Sequence, residues 1–307
     1  MKPLHMFFLA MALNWPSVTL GADRDNALRV VTTLSDLAWL AETLGGERVQ
    51  AKSICTGYQD PHYLEAKPSY ARDLRDADLL VYAGLELEVG WLPRLLEAAH
   101  NPDLRPGSPR LYEASSAVKR ILEVPQGGVD RSQGDIHPFG NPHFLLDPRN
   151  MLLVADGLCA RMTQLDPSGA PTYQAGLSKL HAMLEPKIAE WEKQAASLRG
   201  SPVVGFHKQW EYLADWLGLD LVGYIEDRPG IPPSPKHLNE LITMMKTRQV
   251  RTVLVAPFND VKEANEVAQR AGVKPAVLPA AVGGVENTGN YIALMDVIVS
   301  RLLNAAT

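Results

Sequence analysis

Apolar residues recur along the chain in two alternating patterns. Short apolar runs, as at Val30 and Val31, predict buried strands, and leucines at three- and four-residue steps over 34–44 predict a helix. Further short runs at 49–54 and 79–82 continue the alternation. Strands that alternate with helices through short connections are typical of parallel sheets covered by helices. The pattern therefore predicts an α/β fold.

The same pattern returns in the second half of the chain. Val203 repeats Val30 at an offset of 173 residues, and Val222 repeats Val49 at the same offset. We therefore expect one βαβ unit to begin each of two lobes.

A long helical pattern over 171–198 separates the two halves. At ~1.5 Å per residue this helix would measure roughly 40 Å. We expect Pro186 to kink the helix and not to end it, because the three- and four-residue apolar spacing continues beyond that residue. The fold prediction is α/β, with two lobes, each a parallel-sheet βα domain, joined by a long rigid linking helix. The predicted boundaries are 23–168 for the N-terminal lobe, 169–199 for the linking helix and 200–307 for the C-terminal lobe.

The first residues have a different composition. Lys2 precedes an apolar run over 4–13, and small residues lead to Ala22, after which charged residues return. This arrangement predicts a signal peptide over 1–22, and the apolar run is too short to span a bilayer. No cysteine lies near the predicted cleavage point, so a bacterial lipid anchor is not indicated. We expect a periplasmic protein.

The overall composition changes this picture little. Hydrophobic residues make up 46% and charged residues 21% of 307 residues, and the net charge is −5, as in a protein with an ordinary core. No basic stripe is present, so we expect no nucleic-acid partner. Cys55 and Cys159 could form a disulfide in an oxidising compartment or remain buried thiols, and the sequence leaves both open.

Three of the eight histidines lie where a core histidine would be unusual. His62 and His143 each follow a proline in a connection of the first lobe, and His207 follows the first strand of the second lobe. Ligands bind at strand ends in open α/β sheets, and neutral imidazole is a common nitrogen ligand of zinc. The three histidines together predict a metal site in the cleft between the lobes.

Three loops in this order resemble those of a known family, the metal-specific substrate-binding proteins of ABC importers. The motifs are Asp60-Pro61-His62, Asn141-Pro142-His143 and Phe206-His207-Lys208. The resemblance implies two lobes joined by a rigid helix, a divalent metal ion buried between them, and delivery to an ABC importer permease in the inner membrane. It implies a binding protein and not an enzyme, and we expect a monomer.

The fourth metal ligand departs from the pattern of the family. Many relatives supply an aspartate late in the second lobe, but this chain reads Pro-Ala-Ala-Val-Gly-Gly over 279–284. The repeat places Glu226 opposite Ser53, at the end of the second strand of the second lobe, and we predict Glu226 as the fourth ligand. Water, His137 and Asp60 are the alternatives.

Two other functions compete with metal transport. Three protein ligands with an open position also describe a catalytic zinc site of a hydrolase, but the sequence contains neither a His-Glu-x-x-His pair nor a Gly-x-Ser-x-Gly motif. An organic ligand could stack on tryptophans, although their helical positions favour core packing; these are Trp39, Trp91, Trp210 and Trp216. Three imidazoles favour zinc over manganese, which prefers oxygen ligands.

Overall fold

The structure is a computed structural model, and it describes residues 27–125 and 134–306. The predicted signal peptide, 1–22, lies outside the described residues. The first lobe alternates strands and helices as the apolar pattern predicts. Its elements are β1 (Leu28–Thr32), α1 (Ser35–Gly45), β2 (Val49–Ser53), α2 (Pro68–Arg75), β3 (Leu79–Tyr82), α3 (Leu92–Ala99), β4 (Leu111–Glu113) and α4 (Pro148–Leu165).

The first sheet is parallel and has helices on both faces. Its strand order is β2-β1-β3-β4, and Val30 of β1 pairs with Ala51 of β2 and with Leu79 of β3. Successive residues of a strand point to opposite faces. Val30 accordingly belongs to the apolar cluster beneath α1 and α4, and Val31 to the cluster beneath α2 and α3.

A 25-residue helix, α5 (Ala170–Gln194), follows α4 and continues into a 3-10 turn (Ala195–Leu198). Pro186 lies inside the helix, as predicted. The buried side chains of α5 keep to three- and four-residue steps, so one face of the helix lies against the protein core. These side chains are Tyr173, Leu177, Leu180, Leu184, Ile188 and Trp191.

The second lobe repeats the architecture of the first. Its elements are β5 (Pro202–Gly205), α6 (Glu211–Leu217), β6 (Asp220–Tyr224), α7 (Pro235–Thr247), β7 (Thr252–Val255), α8 (Val261–Ala271), β8 (Lys274–Val277) and α9 (Tyr291–Ala306). The strand order is β6-β5-β7-β8, again parallel throughout. The predicted fold class, two parallel-sheet lobes with a long connecting helix, is confirmed.

The two lobes have the same strand order, but the residue offset between them changes at the second strand of each lobe. Val30 pairs with Ala51, whereas its counterpart Val203 pairs with Leu221, so the offset falls from 173 to 170 residues (221 − 51). The intervening helix is shorter in the second lobe, 7 residues in α6 against 11 in α1. Glu226 therefore follows β6 instead of occupying its last position, and this part of the repeat alignment is wrong.

One apolar core connects the two lobes. It contains residues of β1, α1, α4 and α5 together with residues of β5, α6 and α9. Polar contacts also cross between the lobes: Ser35 Oγ donates to the carbonyl oxygen of Val282 at 2.7 Å, and Tyr291 OH donates to that of Leu145 at 2.5 Å. Helix α5 packs against α1 and α4 of the first lobe and against α9 of the second. The lobes are therefore joined along a broad packed surface.

Among the described residues, none of the helices combines the length and the apolar character needed to cross a membrane. Both cysteines, Cys55 and Cys159, are buried free thiols.

The contact of α5 with α1 at Gly176 supplies a stability prediction. A Cβ atom at Gly176 would overlap the backbone of Leu44 in α1. Alanine is favoured over glycine in a helix by up to about 1 kcal/mol, but here the steric overlap should dominate. We expect Gly176→Ala to lower the free energy of unfolding by about 1–3 kcal/mol, the usual cost of overpacking. Thermal denaturation measures the effect.

The exposed Ser178→Ala, two residues away on the same helix, is the control. A Gly176→Ala protein as stable as the parent would show that α5 and α1 separate easily.

Candidate metal centre

His62, His143 and His207 meet between the two lobes. His62 lies in the connection from β2 to α2, His143 in the connection from β4 to α4, and His207 two residues after the end of β5. Each offers a ring nitrogen, and the three nitrogens lie within 4.8 Å of one another. Nitrogens on one tetrahedral zinc ion are about 3.3 Å apart, because zinc–nitrogen bonds measure about 2.0–2.1 Å. Ring movements of about 1.5 Å or less would therefore place all three on one ion.

The two histidines of the first lobe are held by the same local device. In each loop an Asx residue precedes a proline and a histidine, and its side-chain oxygen accepts the backbone N–H of that histidine. Asp60 Oδ1 accepts from His62 at 2.9 Å, and Asn141 Oδ1 accepts from His143 at 2.9 Å. The Asx-Pro-His sequence therefore fixes the backbone of each histidine before any contact with the other lobe.

A carboxylate orients each of two histidine rings. Asp60 Oδ1 lies 2.7 Å from His62 Nδ1, and Glu226 Oε2 lies 2.8 Å from His207 Nδ1. A carboxylate accepts a hydrogen bond, so each Nδ1 carries the proton and each Nε2 keeps its lone pair for a metal ion. Both rings are nearly buried, with side chains 6% and 8% exposed.

His143 presents a buried nitrogen without a hydrogen-bond partner. Its Nε2 atom is inaccessible to solvent and makes no hydrogen bond to any group among residues 27–125 and 134–306. Burial, together with the positive charge that the neighbouring histidines can carry, lowers the pKa of His143 well below its usual range. The ring is therefore neutral at pH 7. A buried polar atom without a partner is rare in proteins, and a metal ion bound at this nitrogen would satisfy it.

Asn141 connects the loop of His143 to the second lobe. Its Nδ2 donates to the carbonyl oxygen of Lys208 at 3.1 Å and to Glu211 Oε2 at 2.9 Å, and its own carbonyl oxygen accepts from Tyr212 OH at 3.0 Å. Lys208 is the neighbour of His207. The amide of Asn141 thus couples the backbone positions of two predicted ligands that belong to different lobes.

Glu226, the predicted fourth ligand, lies beside the site. Its Oε2 atom contacts His207 and also accepts the backbone N–H of Gly230 at 2.8 Å. Its backbone N–H donates to Phe206, which keeps Glu226 adjacent to His207. Direct ligation of a metal by Glu226 stays a prediction. In this structure its carboxylate contacts Nδ1 of His207. Asp60, one of the alternatives, has the same relation to His62.

His137, another alternative, reaches the site. Its Nε2 atom lies 3.2 Å from His62 Nε2, and its Nδ1 atom lies 3.1 Å from the carbonyl oxygen of Leu85. The sequence could not predict that the backbone carbonyl of Leu85 contacts His137, because every residue carries such a carbonyl. The remaining described histidines lie elsewhere: His100 caps the end of α3, His181 pairs with acids on α4 and α5, and His237 Nε2 donates to the carbonyl oxygen of Tyr224.

A family model matches residues 30–305 of the chain. The family is described as the zinc-uptake complex component A, periplasmic, known as ZnuA. The match spans nearly all of the chain and includes His62, His143 and His207. The chain belongs to the ZnuA family. Members of this family are substrate-binding proteins of ABC transporters and not enzymes, which confirms two expectations from the sequence.

Individual relatives extend over the same length. The chain is 25% identical to the manganese-binding lipoprotein MntA of Halalkalibacterium halodurans, covering 98% of this chain and 99% of that protein. It is 22% identical to the metal ABC transporter substrate-binding lipoprotein SloC of Streptococcus mutans, covering 91% and 90%. A crystal structure of ZnuA superposes with a TM-score of 0.76 at 22% identity, covering 92% of this chain and all of that one. The fold is that of ZnuA, and the chain is a metal-binding member of the family.

The contact between Glu226 and His207 predicts how metal binding by this ZnuA-family protein depends on pH. Burial opposes a charge on His207, but the hydrogen bond to Glu226 and the charges of Asp60 and Glu211 outweigh it and raise the pKa of His207. Protons compete with metal for the ring, so affinity is full above this pKa and is lost as the pH falls through it. In Glu226→Gln the pKa of His207 should drop, and the loss of zinc affinity should begin at a lower pH. At pH 8 the variant should bind about 10- to 100-fold more weakly, as for other partners of ligand histidines.

Zinc competition titrations from pH 5 to pH 8 measure both the affinity at pH 8 and the pH at which affinity is lost. This range of about three pH units brackets the usual pKa of histidine. The exposed Glu240→Gln on α7 is the control. A Glu226→Gln curve that is lower at every pH but unchanged in midpoint would show that Glu226 does not act through His207.

Proposed function

We propose that this protein captures zinc in the cleft between its lobes and delivers it to the permease of an ABC importer. The observation that carries the proposal is the convergence of His62, His143 and His207, each with a ring nitrogen within 4.8 Å of the others. His143 also presents an Nε2 atom that is buried without a hydrogen-bond partner among the described residues. A bound cation would satisfy all three lone pairs at once.

The chemistry of the ligands supports zinc over manganese. Imidazole nitrogens suit zinc, copper and nickel, whereas manganese prefers carboxylate, carbonyl and water oxygens. The two acids nearest the site, Asp60 and Glu226, contact ring nitrogens of His62 and His207 instead of adding oxygen atoms to the group of three. The name of the family also refers to zinc uptake, although MntA is named for manganese.

The same two acids support capture of a divalent cation. Three neutral imidazoles and a divalent ion would bury two positive charges, which is costly in a closed cleft. Asp60 and Glu226 each bring one negative charge next to a ligand ring. Burial alone would raise the pKa of Asp60, but its hydrogen bond to His62 lowers it, so Asp60 stays ionised. The loaded site would then carry almost no net charge.

Delivery requires a protein outside the inner membrane. We propose that residues 1–22 are removed as a signal peptide and that the mature protein is a periplasmic monomer. Its proposed parts are the N-terminal lobe (23–168), the linking helix (169–199) and the C-terminal lobe (200–307). Family members function with an ABC permease, so we propose an inner-membrane permease as the partner that receives the metal.

Replacement of the ligands tests the proposal. We expect His62→Ala, His143→Ala and His207→Ala each to weaken zinc binding by at least ~100-fold, beyond the range for residues that only orient a ligand. Competition with a chromophoric chelator measures the affinity. Zinc should also raise the melting temperature of the parent, since a ligand in thousandfold excess over its dissociation constant stabilises the folded state by about 4 kcal/mol.

His181→Ala, which removes a half-buried histidine of α5 outside the cleft, is the matched control and should bind zinc like the parent. Manganese should displace zinc poorly from the parent. Three alanine variants with parental zinc affinity would refute the site, and a preference for manganese would refute the assignment of the metal.

The packing of α5 predicts how far the lobes move. Because one apolar core spans both lobes, we expect metal binding to change their relative orientation only slightly. Small-angle X-ray scattering of metal-free and zinc-bound protein should give radii of gyration within about 1 Å of each other, small beside the roughly 20 Å expected for a chain of this length. A larger decrease on zinc addition would contradict the rigid connection.

A further inference from the structure

A groove runs along the outer strand of the first sheet, outside the cleft that contains the three histidines. Strand β4 is at the edge of that sheet, and the groove lies between β4, helix α3 and the C-terminal half of α4. Its volume is about 920 Å³, within the range of about 300–1,000 Å³ of pockets that bind small organic molecules. His62, His143 and His207 do not line it. The groove is therefore a candidate for a second, separate binding site.

Much of the groove wall is apolar. Leu92 and Leu96 of α3 line it together with Leu111 of β4. Val89 and Phe139 also line it, and these two residues are 43% and 61% exposed. Apolar surface in contact with water is unfavourable, so a ligand with an apolar body would gain free energy by covering these side chains.

The groove also contains a carboxylate without a cationic partner. Glu113, the last residue of β4, accepts from Tyr82 OH at 3.2 Å and from Ser115 Oγ at 2.9 Å. Within residues 27–125 and 134–306, no lysine, arginine or histidine side chain forms an ion pair with Glu113. Hydrogen bonds between a cation and a carboxylate are about twice as strong as neutral ones. A positively charged ligand would therefore be stabilised at this position.

The backbone leaves room for this carboxylate. Gly84, in the turn after β3, has a φ angle of 87°, and a Cβ atom at this residue would overlap the carboxylate of Glu113. Glycine adopts such an angle without steric cost. The buried carboxylate of Glu88 accepts from the backbone N–H groups of Ala83 at 2.7 Å and Gly84 at 3.2 Å. These bonds fix the turn against which the carboxylate of Glu113 lies.

The charges that line the groove favour a cation over an anion. One cationic side chain, that of Arg161, lines it, against three carboxylates, those of Glu86, Glu88 and Glu113. The guanidinium of Arg161 already donates through Nη1 to the backbone carbonyl oxygens of Pro109 and Leu111, each at 2.7 Å. An anionic ligand would thus meet an excess of negative charge.

The edge of β4 is closed to a further strand. This strand pairs in parallel with β3, and two of its carbonyl oxygens bond instead to side chains. Arg161 Nη1 donates to that of Leu111 at 2.7 Å, and Ser116 Oγ donates to that of Glu113 at 2.6 Å. An extended peptide that joined the sheet would need these carbonyls for main-chain hydrogen bonds. The groove therefore suits a small ligand and not an added strand.

We propose that the groove along β4 binds a small organic cation, whose ammonium group donates to Glu113 and whose apolar body lies against α3 and Phe139. This inference goes beyond the transport of zinc and does not depend on it, because the groove contains none of the three ligand histidines. Both the charge and the apolar area of the ligand contribute to its affinity.

Isothermal titration calorimetry of the full chain with matched indole compounds tests the charge of the ligand. Tryptamine carries an ammonium group, tryptophol has a hydroxyl group in its place, and indole propionate carries a carboxylate. Tryptamine should bind the parent at least about 10-fold more tightly than tryptophol, the usual effect of one hydrogen bond to a charged group, and indole propionate should bind most weakly. Tryptophol binding as tight as that of tryptamine would indicate an uncharged occupant and overturn the inference. An absence of saturable tryptamine binding would also overturn it.

Glu113→Gln tests the contact with the ammonium group. The amide has nearly the same shape and can still accept from Tyr82 OH, but it carries no charge. Tryptamine affinity should therefore fall by about 10-fold or more, whereas tryptophol affinity should stay at the parental value. Glu97→Gln, which removes an exposed carboxylate of α3 outside the groove, is the matched control and should bind both compounds like the parent. Parental tryptamine affinity in Glu113→Gln would refute the role of Glu113.

Phe139→Ala and His62→Ala complete the comparison. Phe139→Ala should weaken tryptamine and tryptophol by the same factor, since both compounds share the indole ring that would cover Phe139. Unchanged affinity for both would refute the position of the apolar body. His62→Ala should bind tryptamine like the parent, and a loss of tryptamine binding in this variant would place the compound in the metal cleft and overturn the inference. Failure of the parent to bind zinc would refute the proposed function and leave the groove unaffected.

Discussion

The organisation of the cleft depends on ring nitrogens that face one another with their lone pairs. His62 and His207 each have Nδ1 hydrogen-bonded to a carboxylate, so in the neutral rings the Nε2 atoms cannot donate. His143 contributes a buried Nε2 atom without a partner among the described residues. These buried lone pairs cost free energy, because neither an apolar environment nor the neighbouring nitrogens can hydrogen-bond to them. A cation bound between the three rings would remove this cost.

The rest of the structure positions these nitrogens from two independent lobes. Short Asx-Pro-His turns set the histidine backbones of the first lobe, and the end of β5 sets His207. Local turns alone would leave the lobes free to separate. Asn141 prevents this by contacting the backbone of Lys208 and the side chain of Glu211, and the shared core along α5 restricts larger rotations. A site divided between two lobes is thus held nearly at its binding geometry.

Charge and ligand type together favour one class of ion. Nitrogen ligands suit borderline metals such as zinc, and two carboxylates placed behind the rings offset the charge of a divalent ion. These acids contact the histidines and not the centre of the site, so they contribute charge without adding oxygen ligands. The same arrangement makes binding sensitive to acid, because the negative charge that stabilises a bound cation also favours a proton on His207.

The sequence was sufficient for much of this protein. Apolar periodicity depends on nearby residues, so it predicted the strands, the long helix α5 and the class of fold. His62, His143 and His207 were identified because each follows a strand or a proline-containing turn, and strand ends in parallel sheets form ligand sites. The Asx residues before two of them were also visible in the sequence. The presence of Cys55 and Cys159 was evident too, but their separation depends on the fold, and the structure shows free thiols.

Only the tertiary structure decided which groups surround the three histidines. The repeat suggested the place of Glu226 by a constant offset, but a shorter α6 shifted β6, and the carboxylate lies against His207 Nδ1. His137 could not be ranked from its sequence position, because its approach to His62 depends on a backbone carbonyl of Leu85 and on contacts with the second lobe. Backbone carbonyls are chemically identical along the chain, and contacts between lobes join residues far apart in sequence. Local sequence patterns carry no information about either, so the completed shell of the site depends on the packing of the folded chain.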